Sequence, residues 1–484
     1  MDHEGSRWHN PIKFDPSTDR PSFFSVHDSI LMAQTFSPRP PVSDIIPRAD
    51  QAAMPVFLAV VVCALSGFTN IKLADIQSVE VVVLAAMLLS LLMPHRQVNL
   101  RAPGPIDAMK MKFVWMFVLI FIGSALSLRL TFYPPYGISA IKQPPFATFA
   151  RMIQVMLSVS SLFIVALAAR QGPDAFRKLL TAYVWCAYVG AIWGIVSMMA
   201  HFIGIELPGV IVQSTVRMRG FFIEGGPFGI YLVGAIIIQI IRGPYLGYVS
   251  RYSFYAGIAL LSVALIGAQS KASALLVVTV MIPYFIRVRR IKTIFLLAVL
   301  AMPVIIASGV LQGIGGYYDS MSNFNAAVSE RPDDSNLIMG RIAAAILLPR
   351  MVLAHPILGI GVGNYSLVRN DPSILQGMPR VEGWDLHGLG LLGYCAELGV
   401  PLTIFVMWVY AYPIVAAWRT RPWIVLLGSY PIVAAIYGVQ LNFAYPWIVA
   451  GLALAAVDID RDHKSKRAYD LTKSNRSPVP ARRR

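Results

Sequence analysis

Charge is scarce in this sequence. Only 14% of its 484 residues are charged, where a soluble domain of this length carries about a quarter. Hydrophobic residues make up 56%. That balance excludes a string of water-soluble domains and implies one polytopic membrane domain. Cysteine is nearly absent: Cys63, Cys186 and Cys395 each lie in an apolar run. Thiols in separate apolar runs exclude a disulfide framework and read as small hydrophobes. A Walker lysine loop, zinc-ligand spacing and an Asp-x-Asp metal motif outside the membrane are all missing. The first fifty residues hold no apolar core of signal-peptide length and, with Pro16, Pro21, Pro38, Pro40 and Pro41, are expected to be a disordered tail.

Long apolar runs are what the sequence has in quantity. A helix needs about 20 apolar residues to cross a bilayer core. By that measure about 12 spans are expected, so the fold class is all-α and polytopic. They fall at roughly 52–68, 76–93, 111–128, 152–169, 178–200, 226–241, 252–268, 271–287, 291–310, 388–418, 423–438 and 441–457.

The net charge is +16, and its distribution sets the topology. With a cytoplasmic N-terminus, the basic residues Arg170, Arg177, Lys178, Arg242, Arg251, Arg287, Arg289, Arg290, Arg419 and Arg421 all fall in inside loops. Both termini are then cytoplasmic. Residues 458–484 form a basic tail, which beside a span reads as an anchor near anionic lipid rather than as a nucleic-acid site. Membrane lipids are thus expected partners and nucleic acid is not.

Cations placed against that bias need a local reason. Arg217, Arg219 and Lys271 fall in outside turns. The large outside loop, 311–386, carries Arg341. An anionic ligand is one reason for them. A salt bridge to a loop carboxylate, such as Asp333 or Asp334 for Arg341, or an arginine reaching to lipid headgroups, is another. The loop opens on Gly313, Gly315 and Gly316. It is expected to form a short amphipathic helix over 339–354, broken or kinked at Pro349 and ended by His355-Pro356. The run Gly359-Ile360-Gly361-Val362-Gly363-Asn364 follows. No strand–helix unit accompanies it, so it reads as a tight turn allowing close backbone approach rather than a dinucleotide site.

The loop ends at Trp384-Asp385-Leu386-His387, where the next apolar run begins. An imidazole titrates near pH 6.5, so His387 can take a proton from a hydroxyl or, as a cation, hold a phosphate. A boundary histidine without chemistry is the other reading. Glu397 lies ten residues further on, about 15 Å deeper in a continuous helix. A carboxylate at that depth must be neutral, paired or wet, and Glu397 is expected to give structural support.

These motifs, in this order, resemble the bacterial O-antigen ligase and polysaccharide polymerase family over roughly residues 50–457. His387, Leu391, Glu397 and Gly399 fit the family's membrane-edge signature, though Gly388 replaces its usual Asn or Ser. Arg217 with Gly220 fits an Arg-x-x-Gly element, with Arg219 as a rival, and Lys271 stands where the family has arginine. Gly340-Arg341 and the glycine turn resemble the family's large-loop helix and the turn behind it. The resemblance implies an inner-membrane glycosyltransferase, residues 51–457, acting on the periplasmic side. Its donor would be a glycan on undecaprenyl diphosphate, and its acceptor a sugar hydroxyl on another glycan or on lipid A-core. It implies His387 as the catalytic residue, Arg217, Arg219, Lys271 and Arg341 as diphosphate ligands, and no cofactor or metal. A transporter or flippase of lipid-linked sugars is the alternative; it favours charges at mid-membrane, and the spans here are nearly charge-free apart from Glu397.

Overall fold

The computed structural model describes residues 49–70, 72–73, 76–92, 105–135, 142–212, 216–288, 322–330, 335–383 and 389–474. The chain divides into residues 1–46 and 47–484. The expected disordered tail, the span at 291–310, the turn at 313–316, and Asp333, Asp334 and His387 lie outside the described residues.

Helix dominates. In chain order the elements are α1 (Ala49–Leu65), β1 (Lys72–Leu73), β2 (Ile76–Gln77), α2 (Ser78–Leu92), α3 (Pro105–Ser127), α4 (Phe146–Ala169) and α5 (Pro173–Phe202). Then come β3 (Val210–Val212), β4 (Val216–Met218), α6 (Gly225–Ile240), α7 (Arg251–Gly267) and α8 (Lys271–Arg287). Residues 322–383 supply α9 (Phe324–Glu330), α10 (Ser335–Ile338), α11 (Arg341–Ala354), α12 (Tyr365–Val368) and α13 (Pro372–Leu375). The chain continues with α14 (Gly390–Leu398), α15 (Val400–Ala417), α16 (Pro422–Ile436) and α17 (Ala444–Ser474).

Among the described residues, four helices are long and apolar enough to cross a membrane: α4, α5, α15, and α6 with its π-helical extension to Tyr245. Five shorter apolar helices accompany them, within α1, α2, α3, α7 and α16. One expected span is corrected. The run 388–418 is not a single helix, because Gly399 takes φ +78° and divides it into α14 and α15. By contrast, α11 continues through Pro349 to Ala354 without a break.

The core forms where small residues let apolar helices approach closely. Between α4 and α17, a side chain at Gly451 would press on the Leu162 carbonyl, so the two backbones nearly touch. Hydroxyls in this dry interior are bonded: Ser160 donates to the Met156 carbonyl at 2.7 Å, and Ser158 reaches across to that of Asn442 at 2.8 Å. A second group packs Phe113, Met116, Val159, Val409, Tyr410 and Trp447 between α3, α4, α15 and α17.

The loops meet at two ends. At one end Arg170 pairs with Asp458 at 3.1 Å, and Asp460 pairs with Arg421 at 2.7 Å and Lys464 at 2.8 Å. Arg177 lies over the Tyr248 ring at 5.5 Å. At the other end the Asn70 N–H donates to the Phe221 carbonyl, and the Tyr133 N–H to that of Leu367, both at 2.8 Å. The loops predicted to share a side contact one another.

Candidate active site

The glycine turn is the structural joint of the second end. Gly359, Gly361 and Gly363 have φ of +69°, +86° and +74°, a region costly for any residue with a Cβ. Space requires glycine as well. A Cβ at Gly359 would strike the Glu397 carbonyl, one at Gly361 the Ser127 hydroxyl, and one at Gly363 the stem of Arg151. The Ile360 N–H donates to the Ala396 carbonyl at 2.8 Å, and the Gly361 N–H to the Glu397 carbonyl at 3.1 Å. The Glu397 carboxylate accepts from the Gly363 N–H at 3.1 Å. The turn thus grips the end of α14, the helix that begins three residues after His387.

On its other side the turn is tied to α3 and α4 through Asn364, which is fully buried. Its carbonyl accepts from Thr148 Oγ1 at 2.5 Å. Its amide donates to Ser127 Oγ at 3.0 Å and to the Ile360 carbonyl at 2.9 Å. Behind it this segment builds a small core from Ala344, Leu347, Leu348, Tyr365, Val368 and Leu375. Arg350 of α11 donates to the carbonyls of Ile374 and Leu375, closing α13 onto α11. Asn370 clamps Val381 with a pair of bonds, donating at 2.9 Å and accepting at 3.1 Å. Arg369 is fully buried and donates to the Ile338 carbonyl at 2.8 Å.

The second constellation forms around a hairpin. β3 and β4 pair antiparallel, with Ile211 opposite Arg217. Met218 fits between α5 and α7, against Gly194 and Gly267. Gly225 has no room for a Cβ because the carbonyls of both Ala268 and Met218 approach it, at 2.8 and 2.9 Å from where one would stand. The strand carrying Arg217 is therefore packed against the turn that leads to Lys271, the exposed first residue of α8. Phe221 holds the following segment, stacked between Phe68 at 4.6 Å and Trp193 at 5.9 Å.

The two rival arginines differ. Arg219 Nε donates to the Pro208 carbonyl at 2.8 Å and its NH1 to that of Ile223 at 3.3 Å, so its guanidinium braces the hairpin's own loop. Arg217 lies on β4, half-buried, one residue before the anchored Met218. Arg341 is exposed and opens α11, after Gly340 at φ +118°. It opens the helix whose opposite end leads into the glycine turn, on a different element from the hairpin.

Sequence reasoning placed Asn364 in the turn but missed Thr148 and Ser127 as its partners and Arg151 beside Gly363. The one available signal was small polar residues interrupting apolar runs near predicted span ends. Their pairing across the chain has no local signature.

Residues 256–407 match the family model described as O-antigen ligase. The matched stretch contains Lys271, Arg341, the glycine turn, His387 and Glu397, and Arg217 and Arg219 precede it. No curated protein matches the chain. Residues 256–407 of this membrane protein are therefore similar to the O-antigen ligase family.

Proposed function

We propose that this protein is a metal-independent glycosyltransferase of the inner membrane. It transfers a glycan from undecaprenyl diphosphate to a sugar hydroxyl on the periplasmic side, with both of its own termini in the cytoplasm. The observation that carries this reading is the family match over the stretch that holds Lys271, Arg341, His387 and Glu397. The family supports glycosyl transfer of the ligase or polymerase type in general. The donor, the side and the residue roles are our reading.

In that reading His387 takes the proton of the acceptor hydroxyl as its oxygen attacks the anomeric carbon. The bond from that carbon to the diphosphate oxygen breaks, and the lipid diphosphate leaves with the electron pair. Arg217, Lys271 and Arg341 stabilise the charge that develops there, since a guanidinium fork or an ammonium suits phosphate oxygens. Arg219 braces the hairpin and acts through Arg217. Glu397 supports the site by holding the glycine turn against α14.

A positioned general base contributes roughly 10² to 10⁴ in rate, so His387→Ala should lose activity by that factor. The test is a gel profile of surface polysaccharide and extracted lipid-linked glycan from wild type, a deletion strain and His387→Ala expressed at wild-type level. Accumulation of single lipid-linked repeats identifies a polymerase. Accumulation of full-length lipid-linked chains identifies a ligase. If the deletion changes the pools and His387→Ala leaves them as in wild type, the catalytic assignment is wrong and transport becomes the better reading.

A further inference from the structure

The connector between α11 and the glycine turn sits at the depth of the apolar helices, not beyond their ends. A methyl built on Gly123 would stand 3.3 Å from the Leu358 carbonyl. Gly123 lies four residues before the end of α3 at Ser127, about 6 Å inside it at the rise of an α-helix. On the other flank the Val400 N–H, the first of α15, donates to the Pro356 carbonyl at 2.8 Å. A side chain at Gly399 would collide with the Ile357 carbonyl. The connector is thus wedged between α3 and the break that divides α14 from α15.

Its side chains nevertheless face outward. Leu353 is 81% exposed, Ile357 70% and Leu358 41%. No Asp, Glu, Lys or Arg occurs from Met351 to Val368, and His355 is the one basic side chain there. The neighbouring helices present the same character: Leu119, Ile122 and Leu126 are exposed on α3, and Ile404 on α15. The patch adjoins the outer faces of α15, a candidate span, and α3, a shorter apolar helix. A water-soluble surface rarely exposes such a run. Within a bilayer, non-helical backbone is tolerated where protein supports it, and the bonds and contacts to Val400, Gly399 and Gly123 give that support.

We propose that residues 353–358 are embedded in the membrane. The end of α11 enters the leaflet on the glycine-turn side, and Leu353 and Ile357 contact the acyl chains of bilayer phospholipid. The glycine turn, fixed to this segment, is then held at the membrane edge whatever chemistry is performed there. The inference rests on the membrane character of the chain and not on the role of His387.

The test places single cysteines, Leu353→Cys and Ile357→Cys, in full-length protein carrying Cys395→Ser, with Ser373→Cys on the exposed loop as the aqueous control. Cys63 and Cys186 are buried. The protein is reconstituted in vesicles of phosphatidylethanolamine and phosphatidylglycerol after each variant is shown to elute as wild type. A charged maleimide should label both sites roughly tenfold more slowly than Ser373→Cys, the effect of a one-unit rise in thiol pKa in an apolar setting. A fluorophore at either site should be quenched by spin labels on acyl chains and spared by iodide. Labelling at the control rate, or quenching by iodide, overturns the proposal. A probe spared by both quenchers also overturns it, because protein, such as a second copy of the chain, then covers the patch. The two positions are read independently, so one poorly folded variant does not remove the test.

Discussion

The two ends of this molecule treat charge in different ways. At the end formed by α16, α17 and the α4–α5 turn, cations face carboxylates: Arg170 with Asp458, and Arg421 and Lys464 with Asp460. At the glycine-turn end, several charged groups bond to the backbone. Arg219 donates to the carbonyls of Pro208 and Ile223, Arg350 to those of Ile374 and Leu375, and Glu397 accepts from the Gly363 N–H. A carbonyl satisfies the hydrogen-bonding demand of a guanidinium without cancelling its charge. The first end is locally neutralised, whereas the bonds of Arg219 and Arg350 to carbonyls leave their formal charge in place. The comparison also concerns rigidity. One end is held by long side chains near solvent, the other by backbone contacts that leave no room for a methyl group.

The strongest way to break that comparison is Gly359→Ala. The new Cβ would meet the carbonyl of Glu397, which is backbone and cannot swing aside, and the residue would remain at φ +69°. The conformation alone costs about 1–2 kcal/mol. With the clash, a loss of roughly 2–4 kcal/mol is expected, read as lower thermal stability of the detergent-solubilised protein. Wild-type melting in this variant would mean that the turn yields and that the rigid end is not rigid.

The arginine pair sharpens the comparison at an intermediate scale. Charge-assisted bonds contribute about 1.5–3 kcal/mol each, so Arg217→Ala should reduce glycan transfer roughly 10- to 100-fold with little change in melting temperature. Arg219→Ala should lower melting temperature as well as activity, because it removes both bonds that brace the hairpin's loop. Lysine at 219 should restore part of the stability, and lysine at 217 should restore little activity because the planar fork is lost. The opposite pattern, with stability tracking residue 217, would reverse the assigned roles.

How much of this was legible in the sequence follows from where each signal resides. Helix positions were legible because an uncharged apolar run announces itself: 271–287 coincides with α8, and 178–200 lies within Pro173–Phe202. The division at Gly399 was marked locally only by Gly399-Val400-Pro401 beside Glu397, and it is enforced from outside, by the Ile357 carbonyl occupying the place of its Cβ. Three alternating glycines announced a turn at 359–363. That Asn364 would join it to Thr148, more than 200 residues earlier, had no local mark. Arg217 and Arg219 look alike in the chain. The hairpin that folds Pro208 back beside Arg219 is what separates them.

The smallest effect is expected at the paired end. Burial alone would raise the Asp460 carboxyl, but bonds from Arg421 and Lys464 outweigh it and hold it below the ordinary aspartate range. Its folded pKa is depressed, so its contribution to stability is present at neutral pH and is lost as pH falls below about 4 toward the depressed value. The contribution is small because the partners are open to water: Arg421 is 46% exposed and Lys464 56%. Asp460→Asn should therefore cost under about 1 kcal/mol at pH 7. The gap between wild type and Asp460→Asn in thermal unfolding should close as the medium is taken below pH 4, while the deficit of Gly359→Ala persists across the same range. A loss at Asp460 as large as that at Gly359 would mean that the tail end is also a rigid joint, and the contrast between the two ends would fail.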